Sequence, residues 1–234
     1  MGGGLIVALD MDDSDEATKL ASEIGPDVAA LKVGSQLFTR YGPEIVRRIM
    51  DSGGQVFLDL KFHDIPNTVA GAVRGASDLG ASWLTVHASG GKDMLKAASD
   101  ASGTTKVLAV TVLTSLDDAS IRHIGWKGTV EEQVRDLAVM ARESGVDGIV
   151  CSAREVRILR AVLDDDCILV TPGIRPAGES ADDQARTATP EGAVANGADY
   201  LVVGRPIVKA ADRREAVRSI LIQMEEGKRS VTVS

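Results

Sequence analysis

The chain has 234 residues, 44% of them apolar, with a formal net charge of −8 and only 3% aromatics. That length admits one large domain or two small ones, and the apolar share supports a substantial core. The acidic balance argues against nucleic acid or an anionic membrane as partner, and so few aromatics leave little to stack on bases.

Short β-type runs alternate with helical patterns along the chain. The first run, residues 5–10, leads to a helix capped near Ser14 and closed by Gly25. The second, 28–34, precedes a helix that starts at Pro43 and stops at Gly53-Gly54, with proline near the start and glycine past the end. The third, 55–62, leads to a helix from about 67 to 79. A fourth run at 83–88 is followed by a helix beginning after Gly90-Gly91, and a fifth covers 106–114. A longer connection, 115–128, then reaches a helix whose Thr129 and Glu132 form a capping box. The sixth run is 148–152, the seventh 168–173 and the eighth 200–204, the last two separated by an aperiodic stretch and a helix opening at Thr189-Pro190-Glu191. A final amphipathic helix covers about 211–226. Eight βα units with mostly continuous apolar strands predict an α/β fold, a parallel (β/α)8 TIM barrel forming a single domain over 1–234.

Cys151 and Cys167 each lie in an apolar run and read as free buried thiols of a reducing compartment, without zinc-ligand spacing or a disulfide framework. No apolar run approaches spanning length, and Met1-Gly2-Gly3-Gly4 lacks the basic and apolar regions of a signal peptide, so the expectation is a cytoplasmic protein without a membrane partner.

The third strand carries the densest chemistry. Val56, Leu58 and Leu60 fall on one face, Phe57, Asp59 and Lys61 on the other, with the Cα atoms of Asp59 and Lys61 roughly 6.5 Å apart. Two ionised groups in an apolar segment need partners to offset desolvation. A further carboxylate, Asp64, follows after the strand, which Pro66 implies has ended. A structural ion pair at a strand end is the competing account. Lys32 and Asp10 also lie near strand ends. Lys32 could snorkel to the rim, and Asp10 could cap the next helix. His87 ends a strand, whereas His63 and His123 lie in loops without metal-site spacing. In a barrel all C-terminal strand ends share one face, so Lys32, Asp59, Lys61 and Asp64 can form a charge-alternating network there.

Gly173-Ile174-Arg175 and Gly204-Arg205-Pro206 follow the seventh and eighth strands, where barrels of this kind grip phosphate. The aperiodic stretch 174–188 reads as a lid, and Gln184 within it could reach a ligand; a mobile surface loop is the alternative.

These segments together resemble the orotidine 5′-phosphate decarboxylase family. Asp59-Leu60-Lys61-Phe62-His63-Asp64-Ile65-Pro66-Asn67-Thr68 is similar to its signature. So are Leu31-Lys32-Val33-Gly34, Thr111-Val112-Leu113-Thr114-Ser115, Thr171-Pro172-Gly173-Ile174-Arg175-Pro176 and Val203-Gly204-Arg205-Pro206. The Asp-x-Lys-x-x-Asp core alone is shared with hexulose-phosphate synthases. The resemblance implies conversion of orotidine 5′-monophosphate into uridine 5′-monophosphate and carbon dioxide without cofactor or metal. It implies that Lys61 protonates C6, that Asp59 sits beside the substrate carboxylate, and that Lys32 and Asp64 complete the network. Asp10 and Lys32 would hold the ribose, Thr114 or Ser115 the pyrimidine edge, and Gln184, Gly204 and Arg205 the phosphate. Pro172 belongs to the binding site, and Arg175 to the closing loop. The family resemblance also implies a homodimer in which Asp64 and Thr68 reach the neighbouring subunit's site. Two alternatives stand beside this: a magnesium-dependent aldolase using Asp59 and Asp64, and a phosphate-ligand binding protein without turnover.

Overall fold

The computed structural model describes residues 3–176 and 188–232. Eight parallel strands close into a barrel in sequence order: β1 (Gly4–Ala8), β2 (Ala30–Gly34), β3 (Val56–Phe62), β4 (Trp83–His87), β5 (Lys106–Val110), β6 (Gly148–Val150), β7 (Ile168–Thr171) and β8 (Tyr200–Val203). β8 returns to β1, pairing from Gly4↔Tyr200 to Val7↔Val203, so the sheet has no open edge. The helices are α1 (Ser14–Ile24), α2 (Ser35–Tyr41), α3 (Pro43–Asp51), α4 (Pro66–Asp78), α5 (Lys92–Asp100), α6 (Asp118–His123), α7 (Val130–Glu143), α8 (Val156–Arg160), α9 (Pro190–Ala195), α10 (Arg205–Val208) and α11 (Arg213–Thr232). This is the (β/α)8 architecture that the alternating runs predict. None of the helices among the described residues is long and apolar enough to cross a membrane.

Period-two alternation divides each strand between two cores. Leu5, Val7, Val33, Leu58, Leu84 and Val107 belong to the large core between strands and helices. Ile6, Ala8, Phe57, Trp83, Leu108, Val170 and Val202 form a separate inner cluster. Within it Trp83 meets Phe57 and Tyr200 edge-on, with ring centroids 5.9 and 4.5 Å apart, worth about 0.5–1.5 kcal/mol per pair beyond burial. All three rings come from the first or second residue of their strands. They fill the N-terminal end of the barrel and leave the opposite end to polar groups. On the N-terminal side Arg160 donates to the carbonyls of Gly197 (2.9 Å) and Cys167 (2.8 Å) and pairs with Asp199, which accepts the Leu169 N–H at 2.7 Å.

The capping box of α7 is present: Thr129 Oγ1 accepts the Glu132 N–H at 3.2 Å, and the Thr129 N–H donates to Glu132 Oε2 at 2.8 Å. The cap of α1 is Asp13 rather than Ser14, because its carboxylate accepts the N–H groups of Asp15 and Glu16 at 2.7 and 3.1 Å. Several strands are shorter than the apolar runs suggest. The β5–β6 ladder stops at Val110↔Val150, the Cys151 N–H still donates to the Val170 carbonyl at 3.1 Å, and Thr114 and Ser152 lie in loops. Asp10 likewise falls past the end of β1. Helices α2, α6, α8 and α10 are not expected from periodicity, being four to seven residues long. His123 therefore ends a helix instead of lying in a loop. α11 continues past the expected end near 226.

Candidate active site

β3 delivers Asp59 and Lys61 through an irregularity. Its pairing with β4 runs Phe57↔Trp83 and Leu58↔Leu84, then resumes at Phe62↔Val86, so β3 takes four steps where β4 takes two. Inside this bulge Lys61 has φ 51°, the single non-glycine positive φ among the described residues. That conformation costs a residue with a side chain about 1–2 kcal/mol, and it persists only where the surroundings over-determine it. Here the Lys61 N–H donates to Thr85 Oγ1 at 2.9 Å, the Thr85 hydroxyl donates to Asp59 Oδ1 at 2.9 Å, and Lys61 Nζ donates to the same oxygen at 2.8 Å.

The second Asp59 oxygen faces Lys32 Nζ at 3.3 Å, and Lys32 donates to Asp10 Oδ1 at 3.1 Å. The row Asp10, Lys32, Asp59, Lys61 thus alternates in sign. The Lys32 and Asp59 side chains are only 11% and 12% exposed, so Lys32 does not snorkel to solvent. Asp10 does not cap α1, since Asp13 does. A Cβ on Gly34 would stand 3.1 Å from Lys32 Nζ and 3.4 Å from Asp10 Oδ1, so glycine keeps room for that pair. Burial is the largest influence on Asp59 and would push its carboxyl up. The Lys32 and Lys61 charges, with hydrogen bonds from Lys61 and Thr85, outweigh it and hold the group below the usual carboxylate value. Burial likewise presses the Lys32 ammonium down, and Asp59 and Asp10 together raise it above the ordinary lysine value.

These groups line a cavity of about 540 Å³ at the C-terminal end of the barrel, a volume within the range of roughly 300–1,000 Å³ common for small-molecule sites. The structure brings Asp10, Lys32, Asp59, Lys61, Thr114, Pro172, Arg175, Gly204 and Arg205 to this one wall. Val110, Val112, Val150 and Val202 supply its apolar part. Gly173, at φ 79°, turns the chain out of β7. Just beyond it Ile174 bridges Ala188, and the Arg175 N–H donates to the Ala188 carbonyl at 2.9 Å. The two ends of the stretch expected to act as a lid are therefore joined, while Gln184 lies outside the described residues.

Other expected residues stand elsewhere within this chain. Asp64 and Thr68 are exposed, as are all residues from 63 to 68, and Asp64 Oδ1 accepts the Ile65 N–H at 2.6 Å. Ser115 lines a neighbouring pocket of about 430 Å³ with Asp118 and Arg154. A larger groove, about 850 Å³, runs along α11 and contains none of the expected site residues. Two features escape the sequence reading. Gln36 lines the main cavity and donates to Asp12 Oδ1 at 2.9 Å. Thr85 is buried at 1% exposure; the signal for it is alternation, which turns Trp83, Thr85 and His87 to the same side of β4. The His87 ring lies 5.5 Å from that of His63. Burial foremost, then the His63 and Lys61 charges, hold the His87 imidazole below its ordinary value, against the opposing pull of Asp59.

A model of the orotidine 5′-phosphate decarboxylase / HUMPS family matches residues 3–220. The chain belongs to that family. It is 47% identical over 227 residues to an orotidine 5′-phosphate decarboxylase of Thermobifida fusca, covering 97% of both chains. It is 49% identical over 220 residues to one of Nitrosococcus oceani, covering 92% of this chain and 95% of that one. Among solved structures, an orotidine 5′-phosphate decarboxylase from Lactobacillus acidophilus superposes with a TM-score of 0.85 at 40% identity, covering 95% of this chain and 99% of that chain. The decarboxylase family thus accounts for the whole barrel, and the cavity lies at the end where this fold assembles its catalytic groups.

Proposed function

We propose that the chain decarboxylates orotidine 5′-monophosphate to uridine 5′-monophosphate in pyrimidine nucleotide synthesis, without cofactor or metal, and that Lys61 is the proton donor to C6. The observation that carries this is the Lys61 ammonium, held 2.8 Å from Asp59 on the wall of the cavity. Loss of carbon dioxide from C6 leaves an electron pair in an sp² orbital that the ring delocalises poorly. A preorganised ammonium stabilises that charge and then supplies the proton, so no electron sink is required. Asp59 stands beside the departing carboxylate, and Lys32 keeps Asp59 ionised and in place. Most of the rate comes from stabilisation of the transition state rather than from repulsion in the ground state.

Gly204 and Arg205 grip the phosphate together with Gln184, and Arg175 acts from the closing loop. Asp10 and Lys32 hold the ribose hydroxyls, Thr114 or Ser115 bonds the pyrimidine edge, and Pro172 lines the ring. Phosphate binding far from C6 assembles the site, so a substrate lacking phosphate loses turnover as well as affinity. The enzyme works as a cytoplasmic homodimer in which Asp64 and Thr68 enter the neighbouring site. The exposure of the entire run 63–68, including Ile65 at 67%, supports that assignment.

The test follows the loss of orotidine 5′-monophosphate absorbance with purified protein, with and without EDTA. Turnover that survives EDTA is expected; strict dependence on magnesium would favour the aldolase. Lys61→Ala is expected to lower kcat by about 1,000-fold or more while uridine 5′-monophosphate still binds. Substantial residual turnover refutes the role of Lys61.

A further inference from the structure

We propose that Thr85 is a positioning residue for this reaction, a hydroxyl that fixes the backbone of Lys61 and the carboxylate of Asp59 at once. This rests on the assignment of Lys61 as proton donor.

Three facts carry the inference. The bulge in β3 removes the Lys61 N–H from the regular ladder, and Thr85 Oγ1 takes it at 2.9 Å. The proton direction is dictated by chemistry: a peptide N–H only donates, so the hydroxyl accepts there and its own hydrogen goes to Asp59 Oδ1, a carboxylate that only accepts. Lys61 Nζ reaches the same oxygen. A closed ring results, running from the Lys61 backbone through Thr85 and Asp59 to the end of the Lys61 side chain. Backbone and ammonium of one lysine are referenced to a single buried hydroxyl.

The position of Thr85 explains why the hydroxyl is rigid. Leu84 and Val86, on either side, belong to the core under the helices, so Thr85 turns to the barrel interior beside the Trp83 layer. At 1% exposure it cannot exchange its partners for bulk water. Its β-branched side chain also has few rotamers to choose from. A buried threonine that merely satisfied itself would need one partner; this one connects the strained residue of the bulge to the carboxylate opposite Lys32.

Thr85→Val keeps shape and volume but removes both bonds. Misplacing a reacting group by about 1 Å can cost roughly 100-fold in rate, so kcat should fall about 10- to 100-fold. KM should stay within about threefold, because Gly204 and Arg205, which the phosphate contacts, are untouched. Thr85→Ser retains the hydroxyl and should recover most of the lost kcat. If Thr85→Val does not fold, Thr85→Ala, which only vacates space, is measured instead with the same expectation. A kcat within twofold of wild type, a loss confined to KM, or a serine variant no better than valine would overturn the inference. Lys61→Ala is assayed alongside. If it is inactive while Thr85→Val turns over normally, only the role of Thr85 fails; if it is active, the assignment of Lys61 fails and this inference falls with it.

Discussion

Asp59 receives more partners than any other carboxylate of the site: Thr85 and Lys61 on one oxygen and Lys32 on the other. With its folded value held below the unfolded 3.8, the unfolded chain binds more protons in that interval, so stability falls as the solution is acidified. The contribution is complete above the unfolded value and is lost as pH drops through the lower folded one. Melting temperatures of wild type and Asp59→Asn should therefore keep a constant difference from pH 7 to 5 and shift against wild type below about pH 4. A difference independent of pH would contradict the ion-pair account. Lys32 has the opposite sign: its contribution is complete below 10.5 and is lost only as pH rises through the raised folded value. Arg205 lies on the cavity wall, and the role proposed for it is to bind the phosphate. Removing a charge-assisted bond costs about 1.5–3 kcal/mol, so Arg205→Ala should raise KM roughly 10- to 150-fold in steady-state assays, and an unchanged KM would remove the phosphate from that corner. At this scale the residue types were legible, although Asp10 and Thr114 lie past the ends of β1 and β5 instead of on them. The partner of the Lys61 N–H was not, because nothing local distinguishes Thr85 from a threonine chosen for its β-branched shape.

At the scale of elements, signals written in a few neighbouring residues could be read directly. Thr129 and Glu132 announce α7, and Pro43 and Pro190 open α3 and α9, since each supplies its local need within one turn. α6 carried a readable sign in Asp117, whose carboxylate accepts the Ser120 N–H at 2.8 Å. α10, only four residues long, is too short to express a period. The bulge of β3 depends on register with β4, which no property of β3 by itself reveals. Gly148 gives the clearest packing test. A Cβ there would stand 2.4 Å from the Ile168 carbonyl oxygen, 2.7 Å from its Cβ and 2.9 Å from Leu108 Cδ2. Neighbouring strands on both sides would have to move. Gly148→Ala should destabilise by about 1–3 kcal/mol, seen as a fall in Tm of roughly 2–10 °C; an unchanged Tm would mean that β6 accommodates the methyl without strain.

For the molecule as a whole, the core between strands and helices buries both cysteines. Burial pushes both thiols up, Cys167 to about 11 and Cys151 further, so the thiolate is scarce at neutral pH. Ellman's reagent at pH 8 should react slowly with the native protein and with two thiols in guanidinium; rapid native reaction would show that the β6 and β7 ends open. The fold itself was predictable because apolar runs and helical stretches recur eight times, and a parallel sheet of that count closes on itself. Sequence alone also supplied the charged residues, since a carboxylate and an ammonium two positions apart on one strand face are costly to desolvate unless each finds partners. What only the tertiary structure decided is how they meet. Asp10, Lys32, Asp59 and Thr85 come from four different βα units, and the bond that orders Lys61 runs between strands. Contacts of that kind arise from closure and register, quantities that belong to pairs of strands and are written in no single one of them.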